Sequence, residues 1–140
     1  LSDVYVIANA VDGLQPGAYF FDRKRRDLEL LRAGTFRNEA GFLGLNQALP
    51  ADASVNVYLM CDLERILAAY GARGYRAAQL EAAITGGRLY LASYALGLGA
   101  TGLTFFDDEV TDFFSPHAQG KAVMFLVATG HGRKIKPGAL

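Results

Sequence analysis

Short apolar runs, rich in β-branched and aromatic residues, recur along the chain between stretches of Gly, Pro and charged residues. Such runs predict strands, here over 4–11, 18–22, 27–34, 55–62, 100–106 and 121–129, of which the last two are apolar enough to be buried. Pro16 and Gly17 fit the centre of a type II turn before the second run. The "RKRR" tip at 23–26 favours a solvated hairpin turn, with an anion-binding patch as the alternative.

Apolar positions at spacings of three and four predict helices over 36–47, 63–70, 75–99 and 107–114. Asp62 caps the second of them and Gly71 ends it, while Asp107 caps the fourth. The third is long and Ala-rich, which indicates a central, closely packed helix ended by Gly97 or Gly99. Gly86 and Gly87 inside it each cost roughly 1 kcal/mol relative to Ala, so a helix or a cofactor is expected close by. Strands and helices in mixed order predict an α+β domain.

Composition excludes several classes of protein and of site. A chain of 140 residues, 51% of them hydrophobic, can bury one domain core. Its 14 basic and 14 acidic residues balance, and no apolar run reaches the roughly 18–20 residues of a membrane span. We therefore expect no nucleic acid or membrane partner. A single cysteine predicts no disulfide framework, which suits a protein of the cytoplasm. One cysteine and two distant histidines also predict no metal site. Cys61, at the end of a strand, is expected to be inert core.

Four ordered motifs carry a resemblance to a known family. The segments "LYLASYALGLGA" and "TGLTFFDDEV", a short helix, a hydrophobic strand and "GHGRK" resemble the C-terminal half of FMN-dependent nitroreductase-like flavoproteins. The upstream "VDGLQPGAYFFD" and "RGYRAAQLEAA" resemble the SagB-type dehydrogenase branch. The resemblance implies a nitroreductase-like mixed sheet packed by a long central helix. Residues 1–140 would be the C-terminal part of that domain, and the family's N-terminal phosphate motif does not occur in them. A fragment, one of two chains and part of a tandem protein are the alternatives.

The resemblance also implies chemistry. In such flavoproteins a backbone N–H in the segment after the long helix reaches flavin N5, where hydride arrives and leaves. The resemblance implies that the matching positions would bind the cofactor here, and these are Gly102, Leu103, Thr104 and Phe105. Arg133 or Lys134 would hold the FMN phosphate, unless this basic terminus is simply solvated. The implied reaction is an oxidoreduction with hydride taken from NAD(P)H or from a small-molecule substrate.

Two further side chains are candidates for acid–base work. Tyr75 matches the Tyr of a Lys-Tyr pair that assists proton removal in azoline-oxidising relatives, but Gly74 stands where the lysine should be. Tyr75 is therefore a candidate catalytic residue or a packing residue. His117 is a possible general acid or an ordinary turn residue.

The resemblance leaves two functional classes open. Family members are usually homodimers, and the small residues of 75–96 suit either a dimer seam or a helix buried in a monomer. The first class is an FMN-dependent oxidoreductase, a homodimer or a chain that pairs with the missing N-terminal half. The alternative is a non-catalytic dimerisation or ligand-binding module, such as the degenerate copy of a tandem pair.

Overall fold

Six strands form one antiparallel sheet in the order β3-β2-β1-β4-β6-β5. The computed structural model of the chain describes residues 1–132. The strands are β1 (Asp3–Ala8), β2 (Gly17–Asp22), β3 (Asp27–Ala33), β4 (Val55–Cys61), β5 (Gly99–Leu103) and β6 (Ala122–Gly130). The helices are α1 (Arg37–Leu43), α2 (Ala48–Asp52), α3 (Leu63–Tyr70), α4 (Arg73–Ala95) and α5 (Asp107–Phe114). The predicted α+β class, with a long helix on a sheet, is confirmed. The fold mixes helices with strands, whereas within residues 1–132 every pair of neighbouring strands is antiparallel.

Helices cover both faces of the sheet. On one face, side chains of the central strands such as Tyr5, Tyr58 and Leu126 pack with Leu43 of α1 and Val110 of α5 in the largest core cluster. On the other face, two smaller clusters join β4 to α3 and α4, and their buried members are Val57, Leu59, Cys61, Ile66, Ala78 and Ala82. Successive side chains of a strand point to opposite faces of the sheet, so the sheet carries a hydrophobic layer on each face.

A β-bulge interrupts the pairing of β4 with β6. Leu59 pairs with Phe125, but the next residue, Met60, pairs with Val123, so β6 contains one extra residue at Met124. The consecutive residues Met124 and Phe125 consequently both pack on the α3–α4 side of the sheet.

α4 has two faces of different character. Gly86 is buried against β6, where an added Cβ would lie 2.5 Å from Cε1 of Phe125. The close neighbour of Gly86 is thus a strand side chain and not the helix or cofactor that the sequence predicted. A Cβ added at Gly87 would meet nothing within 4 Å, and several large apolar side chains on the same side are exposed. Within residues 1–132, α4 is thus closely packed on one face only, the face that contacts the sheet.

Several predicted ends of elements hold. The side chain of Asp62 accepts a hydrogen bond from the N–H of Arg65 at 2.9 Å and so caps α3. Gly71 ends this helix with φ +62°, and Gly97 follows the end of α4 with φ +71°. Residues 23–26 form the turn between β2 and β3.

Other local predictions need correction. Gly17 is the first residue of β2 and lacks the positive φ that a type II turn requires. The strand expected over 100–106 ends at Leu103, and it is a half-buried edge strand. Phe106, not Asp107, is the N-cap residue of α5. Among residues 1–132, no helix combines the length and the hydropathy that crossing a membrane requires.

Candidate functional site

Of the candidate cofactor residues, Gly102 and Leu103 lie in β5, the edge strand of the sheet, and Thr104 and Phe105 directly follow it. β5 pairs with β6 on one side only, in a register that sets Gly99 opposite Gly130 and Leu103 opposite Leu126. The segment after β5 and the segment after β6 therefore leave the sheet at opposite ends of a strand about 15 Å long. A ligand that binds to both segments must extend along this edge.

Gly102 is held by packing within the chain. Its N–H donates a hydrogen bond to the hydroxyl of Tyr90 in α4. A Cβ added at Gly102 would lie 2.9 Å from Cζ of Phe125 and 3.3 Å from the Tyr90 hydroxyl. Close approach of a side chain and a ring from this chain is sufficient to require glycine here, so the residue type is not by itself a sign of a bound cofactor.

The next three positions form the open end of β5. Leu103 and Phe105 pack against the largest core cluster, whereas Thr104 is exposed. The backbone N–H groups of Thr104 and Phe105 find no acceptor within residues 1–132. Two adjacent N–H donors are thus free, on a loop whose side chains anchor it to the core.

The loop after β5 contacts α1 as well as the sheet. The N–H of Phe106 donates to the carbonyl of Leu43 at 3.0 Å. The ring of Phe106 also lies 5.4 Å, centroid to centroid, from the ring of Phe42. These contacts limit the positions that the free N–H groups can take.

A cavity of about 280 Å³ lies at the other end of β5. α2, the first half of β5 and the last residues of β6 contribute its walls: Leu49, Asp52, Ala53, Gly99, Ala100, Thr101, Ala128, Thr129, Gly130, His131 and Gly132. Most of these residues are small or apolar. The polar side chains of Asp52, Thr101 and His131 can orient a ligand there.

Arg133 and Lys134 lie outside the described residues, and their role as phosphate ligands stays a prediction. The chain reaches them directly after His131 and Gly132, which line the cavity.

The loop after β5 offers hydrogen-bond donors of the kind that a flavin ring accepts. Oxidised flavin N5 accepts a hydrogen bond, and the N–H groups of Thr104 and Phe105 supply free donors. A rigid backbone donor at a site of electron transfer needs no reorganisation of a side chain. At this end, the donor set has the chemistry that the cofactor requires.

Tyr75 is not brought to this site within one copy of the chain. It precedes Tyr90, the residue that contacts Gly102, by 15 residues of the same helix, which corresponds to about 22 Å. Its hydroxyl accepts a hydrogen bond from the side chain of Gln79 at 3.1 Å, and the residue is 42% exposed. Its catalytic role stays a prediction.

The remaining candidates from the sequence have other surroundings. His117 Nδ1 lies 2.9 Å from the hydroxyl of Tyr5, and its ring stacks on Phe20 with centroids 4.4 Å apart. Burial raises the pKa of Tyr5, so Tyr5 stays a neutral partner of this histidine. Burial likewise raises the pKa of the Cys61 thiol, as inert core requires. Residues 1–132 contain no group of acidic, His or Cys side chains that could hold a metal ion.

The sequence did not predict the contact of Tyr90 with Gly102 or that of Phe42 with Phe106. Tyr90 follows the buried Gly86 by four residues and precedes the buried Ser93 by three, so it belongs to the inward stripe of α4. That spacing indicates an inward position but not the β5 backbone as its partner. No pattern in the sequence pairs Phe42 with Phe106.

Comparison with known proteins finds a matching family model and similar solved structures. The family model described as Nitroreductase family matches residues 5–131. A protein assigned as a nitroreductase from Anabaena variabilis is 35% identical, with a TM-score of 0.89 over 95% of this chain and 27% of its own. No curated protein matches the chain.

More distant structures share the fold. A chain of the E. coli microcin synthetase McbBCD complex has a TM-score of 0.79 at 17% identity, over 94% of this chain and 52% of its own. The NADPH:FMN oxidoreductase from Vibrio harveyi, solved with NAD+, has a TM-score of 0.56 at 21% identity, over 72% of this chain and 49% of its own. The chain thus spans between about a quarter and a half of these relatives' length (27%, 52% and 49%).

Proposed function

Because this chain belongs to the nitroreductase family, we propose that it forms part of an FMN-dependent oxidoreductase of the SagB-type dehydrogenase branch. Bound FMN would supply a carrier that accepts and releases hydride at N5. The N–H of Thr104 or that of Phe105 would donate a hydrogen bond to N5, whose one in-plane lone pair accepts a single donor. Arg133 or Lys134, which follow the cavity residues His131 and Gly132 in the sequence, would hold the phosphate.

One observation carries this proposal: two adjacent N–H groups directly after β5 have no acceptor within residues 1–132. The core packing of Leu103 and Phe105 fixes the loop on one side, and the contact of Phe106 with α1 fixes it on the other. The donors are therefore oriented before a ligand arrives, which lowers the entropy lost on binding.

The proposed electron donor is NAD(P)H, and the acceptor is a small-molecule substrate. The Vibrio harveyi relative carries NADPH and FMN in its name and was solved with NAD+, which supports this pairing. Since the chain covers only 27% of the Anabaena relative, we propose that other segments complete the site in a cytoplasmic protein.

The test removes the N–H of each residue in turn in the full-length protein. Thr104→Pro and Phe105→Pro each delete one candidate donor, whereas the matched controls Thr104→Ala and Phe105→Ala shorten the side chain and keep the N–H. We expect one of the two proline variants to weaken FMN binding about tenfold and to shift the flavin midpoint potential, because the hydrogen bond to N5 is lost. Both alanine variants should keep the potential of the parent. A potential that is unchanged in both proline variants, or a full-length protein that ignores added FMN, would overturn the proposal.

A non-catalytic module is the second candidate. Two observations favour it: Gly74 stands where the catalytic lysine is expected, and packing against Tyr90 and Phe125 suffices to explain Gly102. A colourless full-length protein that still self-associates and shows no turnover of NAD(P)H would establish this alternative.

A further inference from the structure

Two buried asparagines each use only half of their side-chain amide. Asn9 and Asn56 are 6% and 0% exposed, so both side chains lie in the interior. Within residues 1–132, the Nδ2 group of Asn9 and the Oδ1 atom of Asn56 have no hydrogen-bond partner. The first of these atoms is a donor and the second is an acceptor. A buried polar atom that loses its hydration without a new hydrogen bond is destabilising, so two complementary ones indicate a shared partner.

The paired half of each amide fixes the identity of the unpaired half. Asn9 Oδ1 accepts a hydrogen bond from the N–H of Phe36 at 2.9 Å, at the start of α1. Asn56 Nδ2 donates to the carbonyl of Pro50 at 2.9 Å, within α2. Rotating either amide by half a turn would set two donors or two acceptors against each other. The unpaired atoms are therefore an N–H donor on Asn9 and a carbonyl acceptor on Asn56.

The sheet brings the two side chains close together. β1 pairs with β4 so that Ile7 lies opposite Asn56, and the N–H of Asn9 donates to the carbonyl of Ser54 at 2.9 Å. Asn9 and Asn56 are thus diagonal neighbours on adjacent strands, a relation in which the residues lie about 7–8 Å apart. Asn9 follows Ile7 by two residues and therefore shares its face of the sheet. Asn56 shares the face of Tyr58 for the same reason, and Ile7 and Tyr58 both belong to the largest core cluster.

We propose that one water molecule is buried between the two asparagines, where it accepts a hydrogen bond from Asn9 Nδ2 and donates one to Asn56 Oδ1. Buried waters make about three hydrogen bonds each, to polar groups that have no other partner. Water fits this pair because a single molecule is both an acceptor and a donor. A larger ligand has no route to these atoms, since both residues are buried within the chain.

The water lies where the sheet meets the two helices that border β5. α1 holds the loop after β5 through the carbonyl of Leu43 and the ring of Phe42. α2 lines the cavity at the other end of β5. Asn9 and Asn56 each bind one of these helices with one half of the amide and the shared water with the other half. This link between sheet and helices requires no bound cofactor.

A high-resolution crystal structure of the full-length protein tests the water directly. We expect one ordered water within about 2.7–3.2 Å of both Asn9 Nδ2 and Asn56 Oδ1. A direct contact between these two atoms at that distance would overturn the proposal. A gap between them that holds no water would overturn it as well. The measurement needs no variant, so the folding of a variant cannot obscure it.

A double-mutant cycle measures whether the two asparagines share a partner. Asn9→Leu and Asn56→Leu each replace an amide by an apolar group of similar volume. In urea unfolding, each should raise the equilibrium constant of unfolding about tenfold, because the other asparagine and one helix group are left unpaired. The double variant should fall short of the product of the two effects by about fivefold, since the shared water is lost only once. Effects that simply multiply would contradict a shared partner and overturn the proposal.

Asn38→Leu is the matched control for this cycle. Asn38 lies in α1, like the group that Asn9 binds, but it is exposed. Combined with Asn56→Leu, its effect should multiply to within about twofold. A coupling as large as that between Asn9 and Asn56 would overturn the assignment of the coupling to the water. Circular dichroism verifies that each variant folds.

Discussion

Two neighbouring glycines in α4 have opposite surroundings, and they show how one residue type serves different purposes. Gly86 faces β6, where the ring of Phe125 occupies the space of a Cβ. Gly87 faces outward into open space. The first glycine is required by packing inside the chain, and the second permits close approach from outside.

Gly86→Ala should lower the free energy of unfolding. Overpacking a buried contact costs about 1–3 kcal/mol, which exceeds the gain of up to ~1 kcal/mol from replacing glycine in a helix. Urea unfolding of the full-length protein measures the difference. In a Phe125→Leu background, the cost of Gly86→Ala should shrink, because the ring atoms that meet the new Cβ are gone; an equal cost in both backgrounds would contradict the assigned contact.

The Tyr90 hydroxyl is the acceptor for the N–H of Gly102. Tyr90→Phe leaves this half-buried N–H without its partner and should lower the free energy of unfolding by about 1 kcal/mol. Tyr94→Phe makes the same chemical change four residues on, at a side chain that is 57% exposed, and should stay within about 0.5 kcal/mol of the parent. Equal effects in the two variants would remove the role assigned to Tyr90.

At the scale of elements, the loop after β5 depends on α1. Phe42 is 47% exposed, yet its ring packs on Phe106 next to the free N–H groups. Phe42 therefore contributes more to the position of the loop than to the packing of the core.

Phe42→Ala in the full-length protein should weaken FMN binding about threefold to tenfold, because an aromatic pair contributes about 0.5–1.5 kcal/mol to the order of the loop. Leu49→Ala is the control: Leu49 is equally exposed at 47%, and it lies on α2 at the cavity end of β5. Titration of FMN with fluorescence detection compares the two. A larger loss of affinity for Leu49→Ala would indicate that the cavity, not the loop, dominates binding.

Elements also show what the sequence could predict. Asp62 and Gly97 were found from local rules, because a cap and a left-handed residue act on neighbours along the chain. α2 was missed, since Pro50 in "LPADAS" suggests a break although proline is tolerated in the first turn of a helix. The contact of Tyr90 with Gly102 and the pairing of Phe42 with Phe106 depend on tertiary packing, which no local pattern encodes. The candidate positions on β5 came from the family resemblance, and their role in binding stays a prediction.

At the scale of the whole molecule, α4 presents one face to its own sheet and an exposed apolar face outward. If the outward face is an interface between two copies, folding and association are linked, and stability depends on protein concentration.

The midpoint of thermal unfolding should therefore rise as the full-length protein is concentrated from about 1 to about 100 μM, because association stabilises the folded state. Leu91→Arg places a charge on the exposed apolar face of α4 and should abolish this dependence. Differential scanning fluorimetry at several concentrations measures both proteins. A midpoint that is independent of concentration in the parent would contradict pairing in this range.

The bulge at Met124 has a consequence for how this chain can change its length. Because β6 holds one residue more than β4 at the bulge, deleting Met124 would leave a regular ladder of paired residues between the two strands. In that ladder, Val123 would still pair with Met60 and stay in the largest core cluster, and Phe125 would stay on the α3–α4 side, so the deletion would remove only the packing of Met124. A single-residue deletion should therefore be tolerated at Met124 or in the hairpin turn at 23–26, whereas further from the bulge in β6 it would turn part of the strand to the opposite face.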